Sequence, residues 1–328
     1  MTTLIRLFAL ALLVTTAIVA SAQLPSRALL VLNKDDNTLV IVDPATNKIV
    51  GTAPTGNAPH EVATDGRFAY VTNYGPFEPD QPGNSLSVID LNTRKETRVD
   101  ISPLRRPHGI EFADGKVYFT AELNKSIARL DPQGLKVDWL LGTGENRTHM
   151  LLLAKGGNTI FTANAESGTV NIIERTSAPE QWTETVVAVG KGAEGCDLSP
   201  DGKEFWVANA GDGTVSVIDV SAKKVVHTIS AVAKRSNRLK FTPDGKLVLV
   251  SDLASGDLVV IDAASRKLTK RVNLGKSAAG ILVVPGGSRA YVALTPDGKV
   301  AIIDLKSMSK TGEIATGRGP DGMAWAGH

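Results

Sequence analysis

Lys203–Asp219, KEFWVANAGDGTVSVID, decides the fold. Two alternating runs rich in β-branched and aromatic residues, EFWVAN (204–209) and TVSVID (214–219), meet at a Gly-Asp-Gly turn. That is the pattern of two antiparallel strands joined by a short connection. The phrase recurs along the whole chain. An apolar lead-in closes on a glycine at Gly66, Gly115, Gly157, Gly202, Gly245 and Gly287, at intervals of 42 to 49 residues.

Each of these glycines is followed by a strand: FAYVTN (68–73), KVYFTA (116–121), NTIFTAN (158–164), EFWVAN (204–209), KLVLVSD (246–252) and RAYVAL (289–294). A second strand follows each turn: LSVID (86–90), SIARLD (126–131), TVNIIE (169–174), TVSVID (214–219), DLVVID (257–262) and KVAIID (299–304). A third runs outward, as in KVVHTIS (224–230) and KLTKRVNL (267–274). Four short antiparallel strands in a unit of this length make a propeller blade. The two ends supply the seventh. ALLVLN (28–33), TLVIVD (38–43) and KIVGTA (48–53) are second, third and fourth strands without a first, and GMAWAG (322–327) is a first strand without followers. The expected fold is therefore all-β: a single seven-bladed β-propeller over residues 23–328, closed by pairing of the N-terminal strands with the C-terminal inner strand. Closure leaves no raw edge.

Composition agrees with one all-β domain. The 328 residues include 31 glycines, only 5% aromatics, and charges that nearly cancel at +2. Net charge thus names no partner. Residues 1–22 read as a secretory signal: Arg6 is a positive n-region, Leu7 to Val19 an apolar core, and Ala20-Ser21-Ala22 a cleavage site. Cleavage would leave no membrane span, and the expected location is periplasmic or extracellular. Cys196 is the sole cysteine, so no internal disulfide forms, and it reads as a small buried hydrophobe.

Tyr70-Val71-Thr72-Asn73 followed by Ser87-Val88-Ile89-Asp90, the second copy Trp206-Val207-Ala208-Asn209, and the S-P-D-G of 199–202 resemble the YVTN family of β-propeller repeats, to which YncE-like periplasmic propellers belong. Two units depart from it, with Ala121-Glu122 and Ala293-Leu294 in place of Thr-Asn. The resemblance implies a seven-bladed fold. It implies activity far less, since function resides in sites placed on a fold.

Superposing the copies exposes what does not repeat. The residue opening each inner strand is His60, His108, His149, Glu194, Asn237, Ala279 and Asp321 in turn. Three of the chain's five histidines thus share one column, in consecutive blades, on the face where ligands of such folds bind. The trio could hold Zn or Cu, with Glu194 adding a carboxylate. In the alternative, each ring hydrogen-bonds a neighbouring blade, as the Pro59-His60 and Pro107-His108 turns suggest. No motif demands a cofactor.

The loops leading into the inner strands are basic, with Arg105, Arg106, Arg147, Lys191, Lys234, Arg235, Arg238, Lys276 and Arg318. The neighbouring loops between second and third strands are acidic, with Asp35, Asp36, Glu78, Asp80, Glu122, Glu166, Asp212, Asp257 and Asp297. A positive inner ring inside a negative outer one would favour an anionic ligand, a partner protein, or single-stranded nucleic acid. The resemblance to YncE-like propellers, some of them associated with DNA binding, points the same way. The alternative is that the cations solubilise the loops and pair with their acidic neighbours. The longest insertion on this face, YGPFEPDQPGN (74–84), presents Tyr74 and Phe77 and is the candidate partner loop. Asp43, Asp90, Asp131, Asp219, Asp262 and Asp304 close the phrases and belong to tight turns on the opposite face.

No nucleophile elbow, phosphate loop or dinucleotide fingerprint appears. The leading expectation is a monomeric binding or interaction module without catalytic residues. The alternative is an enzyme, a lactonase-like hydrolase or a quinoprotein or metal-dependent oxidoreductase, using His60, His108, His149 and Glu194 on the same face.

Overall fold

The computed structural model describes residues 24–154, 156–178, 181–230 and 232–327. The expected secretory signal lies outside them. Among the described residues no helix is long and apolar enough to cross a membrane. The described chain forms seven four-stranded antiparallel sheets. We number the blades by their inner strands: Pro59–Thr64, Pro107–Ala113, Thr148–Leu153, Ala193–Leu198, Ser236–Phe241, Ile281–Val283 and Pro320–Gly327.

Strand and turn chemistry follow the repeat closely. FAYVTN, KVYFTA, EFWVAN and RAYVAL are strands over the expected residues. The closing aspartates cap the outer turns: Asp43 accepts from the Ala45 amide at 2.9 Å, and Asp90 from the Thr93 amide at 2.9 Å. Ring closure is as expected. Pro320–Gly327 pairs antiparallel with Arg27–Asn33, placing Leu29 opposite Trp325 and Leu30 opposite Ala324.

The core is a set of apolar layers between blades. Middle strands are covered on both faces, so Leu29, Leu30, Val31 and Leu32 are all fully buried. Phe161 of blade 3 stacks on Phe205 of blade 4, with ring centroids 4.6 Å apart. Each such side chain contributes roughly 1.5–3 kcal/mol through its buried area. Cys196 belongs to this packing, and burial pushes its thiol up to about 12.

Clefts of about 540, 460 and 510 Å³ open between blades 1 and 2, 6 and 7, and 4 and 5. They involve equivalent turns on the face opposite the histidine column. That recurrence marks them as products of the repeat.

Candidate functional site at the channel mouth

Two local devices aim the column into the channel. The ladder between inner and second strands slips one step between Pro59 and Val62, Pro107 and Ile110, Thr148 and Met150, Ala193 and Cys196, and Ser236 and Leu239. These bulges flank His60, His108, His149, Glu194 and Asn237. A bulge kinks the strand and re-aims its side chain. The threonine of the repeat signature then takes up the released amide. Thr72 Oγ1 accepts from the Glu61 amide at 3.1 Å and donates to the His108 carbonyl at 2.8 Å. Thr120 does the same one blade on, accepting from the Gly109 amide and donating to the His149 carbonyl, both at 2.9 Å. Each threonine therefore fastens its own blade to the next at the column residue.

Glycine supplies the close approach. A Cβ at Gly109 would lie 2.9 Å from the His149 carbonyl oxygen, and one at Gly195 would lie 2.5 Å from the Asn237 carbonyl oxygen. Their absence lets adjacent inner strands crowd together. The rings of His108 and His149 reach a centroid distance of 3.7 Å.

The structure brings all three histidines together with Glu194, Asn237 and Asp321, each buried. His60 Nδ1 lies 3.2 Å from His108 Nε2 and 4.0 Å from Asp321 Oδ2. His149 is held between two carboxylates. Its Nδ1 bonds Glu122 Oε1, and its Nε2 lies 2.7 Å from Glu194 Oε2, within ion-pair reach but off a hydrogen-bond axis. His60 Nε2 and His108 Nδ1 are buried and have no hydrogen-bond partner.

These surroundings separate the three rings electrically. Burial pulls His60 down to about 4, against the opposing charge of Asp321. Burial and the His149 charge hold His108 well below the usual range. Burial also disfavours the His149 cation, but Glu194 and Glu122 outweigh it and raise that ring to about 9. At neutral pH the mouth therefore holds two neutral imidazoles beside one imidazolium.

The expected cations divide between the rim and the chamber: Arg147, Arg235 and Arg238 line the mouth. Arg105 and Arg318 are exposed on the rim, and Arg318 bonds Asp36 at 2.6 Å. Arg106 is buried, donates to the Pro76 and Glu78 carbonyls at 2.9 Å, and lies over the Tyr74 ring. Arg238 sits within the inner strand of blade 5, bonded to Glu61 and 3.4 Å from Glu194. Arg147 lies 3.4 Å from Glu122. Of the arginines at the chamber, Arg235 is the exposed one. The expected acidic outer ring differs too. Asp36, Asp212 and Asp297 accept from the amides of Arg318, Lys191 and Lys276 in the adjoining loops, whereas Glu122 turns inward and is buried.

A cavity of about 130 Å³ lies at the mouth, and its lining includes His60, His108, His149, Asn237, Arg235 and Leu253. Five cations line it, Lys34, Arg147, Arg235, Arg238 and the His149 imidazolium, against two carboxylates, Glu194 and Asp321. An outer pocket of about 430 Å³ adjoins it beneath the 74–84 loop, sharing Tyr74, Phe77 and Arg147. Tyr74 is buried, stacks on His60 at 4.6 Å, and donates to Glu122 Oε2 at 2.7 Å. It is thus a wall of the site, while Phe77, 68% exposed, forms its rim.

Sequence reasoning missed Glu61, Glu122 and Lys34. Lys34, Tyr74 and Glu122 share another column, the residue just after a second strand, filled elsewhere by Ala165 and Ala210. Superposing that position as well would have found Lys34 and Glu122.

Comparison with known proteins gives a family and a fold. The model of the family described as YNCE-like beta-propeller matches residues 147–323, just over half of the chain. Hydrazine synthase of Kuenenia stuttgartiensis is similar at 18% identity and TM-score 0.67, over 80% of this chain and 88% of that one. A candidate 6-phosphogluconolactonase from Bacteroides uniformis shares 14% identity at TM-score 0.75, over 91% and 99%. A functionally unknown protein from Desulfotomaculum acetoxidans shares 13% at TM-score 0.73, over 92% and 99%. At these identities the likeness is one of fold. Comparison with curated proteins gave no match.

Proposed function

We propose that this chain, which belongs to the YncE-like β-propeller family, is an exported binding module that takes a small organic anion, carboxylate end first, into the channel mouth. One observation carries the reading: five cations, the His149 imidazolium among them, face the cavity against two carboxylates. The sign favours an anion. Of His60 Nε2 and His108 Nδ1, both buried without partners, the one that keeps its N–H beside the His60–His108 hydrogen bond would donate to a bound carboxylate. The volume of about 130 Å³ suits a head group, and the outer pocket of about 430 Å³ takes the remainder.

The same dimensions argue against nucleic acid. Tyr74 is already stacked on His60, and Phe77 packs edge-on against the same imidazole, whereas base stacking needs a series of open rings.

A second reading is a hydrolase in which a neutral, partnerless imidazole facing the cavity serves as general base. A thermal-shift panel of acetate, succinate and inorganic phosphate, run beside hydrolysis of a lactone panel, tests both. The binding reading predicts a rise in Tm with succinate that Arg235→Ala reduces, and no turnover. A flat panel would refute it, and lactone turnover abolished by His60→Ala would favour the hydrolase.

A further inference from the structure

The histidine column and Glu122 suggest a function beyond anion capture. One ring nitrogen of His108, one of His149 and one carboxylate oxygen of Glu122 lie within 4.8 Å of one another, and all three residues are buried. The sequence column pointed to the three histidines as a metal set. In the fold His60 stands behind His108, and the third donor comes from the loop after the second strand of blade 2.

The arrangement behind these donors carries the argument. Metal-bound histidines and carboxylates are held from behind by hydrogen-bonding partners that fix their orientation. Here His108 and Glu122 have hydrogen-bonding partners of this kind, and His149 has an ion-pair partner in the same position. His108 Nε2 is engaged by His60 Nδ1 at 3.2 Å, leaving Nδ1 buried and unpartnered. His149 Nε2 faces Glu194 at 2.7 Å, leaving Nδ1 toward Glu122. Glu122 Oε2 accepts from Tyr74 at 2.7 Å, leaving Oε1 toward His149.

We propose that His108, His149 and Glu122 form a binding site for a divalent first-row transition ion such as Zn²⁺. Two imidazoles and one carboxylate are a donor set that holds Zn²⁺ while leaving a fourth position open. The ion takes the place of the proton shared between His149 Nδ1 and Glu122 Oε1, and that proton passes to solvent. His108 and His149 both line the mouth cavity, so the open position faces it, where water or an anion's oxygen completes the shell. The site does not depend on the anion reading, because the ion alone is the probe.

The test uses full-length protein stripped with a chelator and titrated with Co²⁺. The expected result is one equivalent bound, with visible d–d absorption that Zn²⁺ displaces. His108→Ala and Glu122→Gln each abolish that spectrum, while His227→Ala, at a distant outer strand, leaves it intact. Should either site variant fail to fold, Tyr74→Phe removes only the hydroxyl behind Glu122 and should weaken binding by about 10-fold to 100-fold. Absence of a d–d spectrum in the unaltered protein would overturn the site. So would binding that survives His108→Ala and Glu122→Gln, or is unmoved by Tyr74→Phe.

Discussion

Arg238 reaches across the channel from blade 5 to bond Glu61 of blade 1, and the same guanidinium lies 3.4 Å from Glu194 of blade 4. Three blades are thereby tied at the mouth by one side chain that is only 9% exposed. Glu194 extends the chain of charges to His149, and Glu122 extends it to Tyr74 and Arg147.

Removing the guanidinium leaves the half-buried Glu61 without its cation and Glu194 with His149 alone. Arg238→Met should cost about 3–5 kcal/mol, the usual result of breaking a buried pair from one side. Urea unfolding at pH 7 measures it. A loss below ~1 kcal/mol would mean that water reaches Glu61 and Glu194 freely.

Stability of the metal-free protein should respond to pH through two histidines with opposite signs. His149 is raised from 6.5 to about 9, so its contribution is full below pH 6.5 and disappears as pH climbs through 9. His60 is lowered from 6.5 to about 4. The unfolded chain then takes up a proton that the fold refuses, and stability falls as pH drops from 6.5 toward 4. His108, also held well below its usual range, adds to the acid-side loss, whereas Glu111, raised to about 7, opposes it, so the signature to read in thermal unfolding is the decline between pH 6.5 and 9. In His149→Gln the alkaline decline should disappear.

Glu111 offers a stabilising change away from the chamber. Burial raises its carboxyl to about 7, although the Leu153 amide, 2.7 Å away, favours the charged form. At pH 8 the fold carries a buried charge at a cost. Glu111→Gln keeps an acceptor for Leu153 and should raise stability there by about 1–3 kcal/mol. At pH 4 the gain should vanish, and chemical denaturation at both values checks this.

Gly109→Ala tests the crowding that brings His108 against His149. The added Cβ meets only backbone, at 2.9 Å from the Leu151 amide nitrogen and the His149 carbonyl oxygen. Neither can yield without moving blade 3. A cost of about 1–3 kcal/mol is expected from such overpacking. A neutral effect would show that the inner strands are not tightly apposed.

The architecture was legible because each blade repeats its own instructions. Strand alternation, Asp-Gly turns and closing aspartates recur at one period, and the ends complete each other at Leu29 and Trp325. The histidine column was legible for the same reason, as a departure from the repeat. The pairing of charges was not. Arg238 reads as a loop cation in sequence, and only the curvature of the ring places it beside Glu61, 177 residues away. Glu122 is hidden differently: it stands among acidic loop residues, and the turn Glu122–Asn124 folds it inward.

NMR of the histidine side chains during titration with succinate reads whether the histidine-lined chamber receives a small anion. Saturable shifts of His60 and His108 are expected, with none at His227. Shifts confined to His227, or none at any histidine, would contradict anion binding in the chamber.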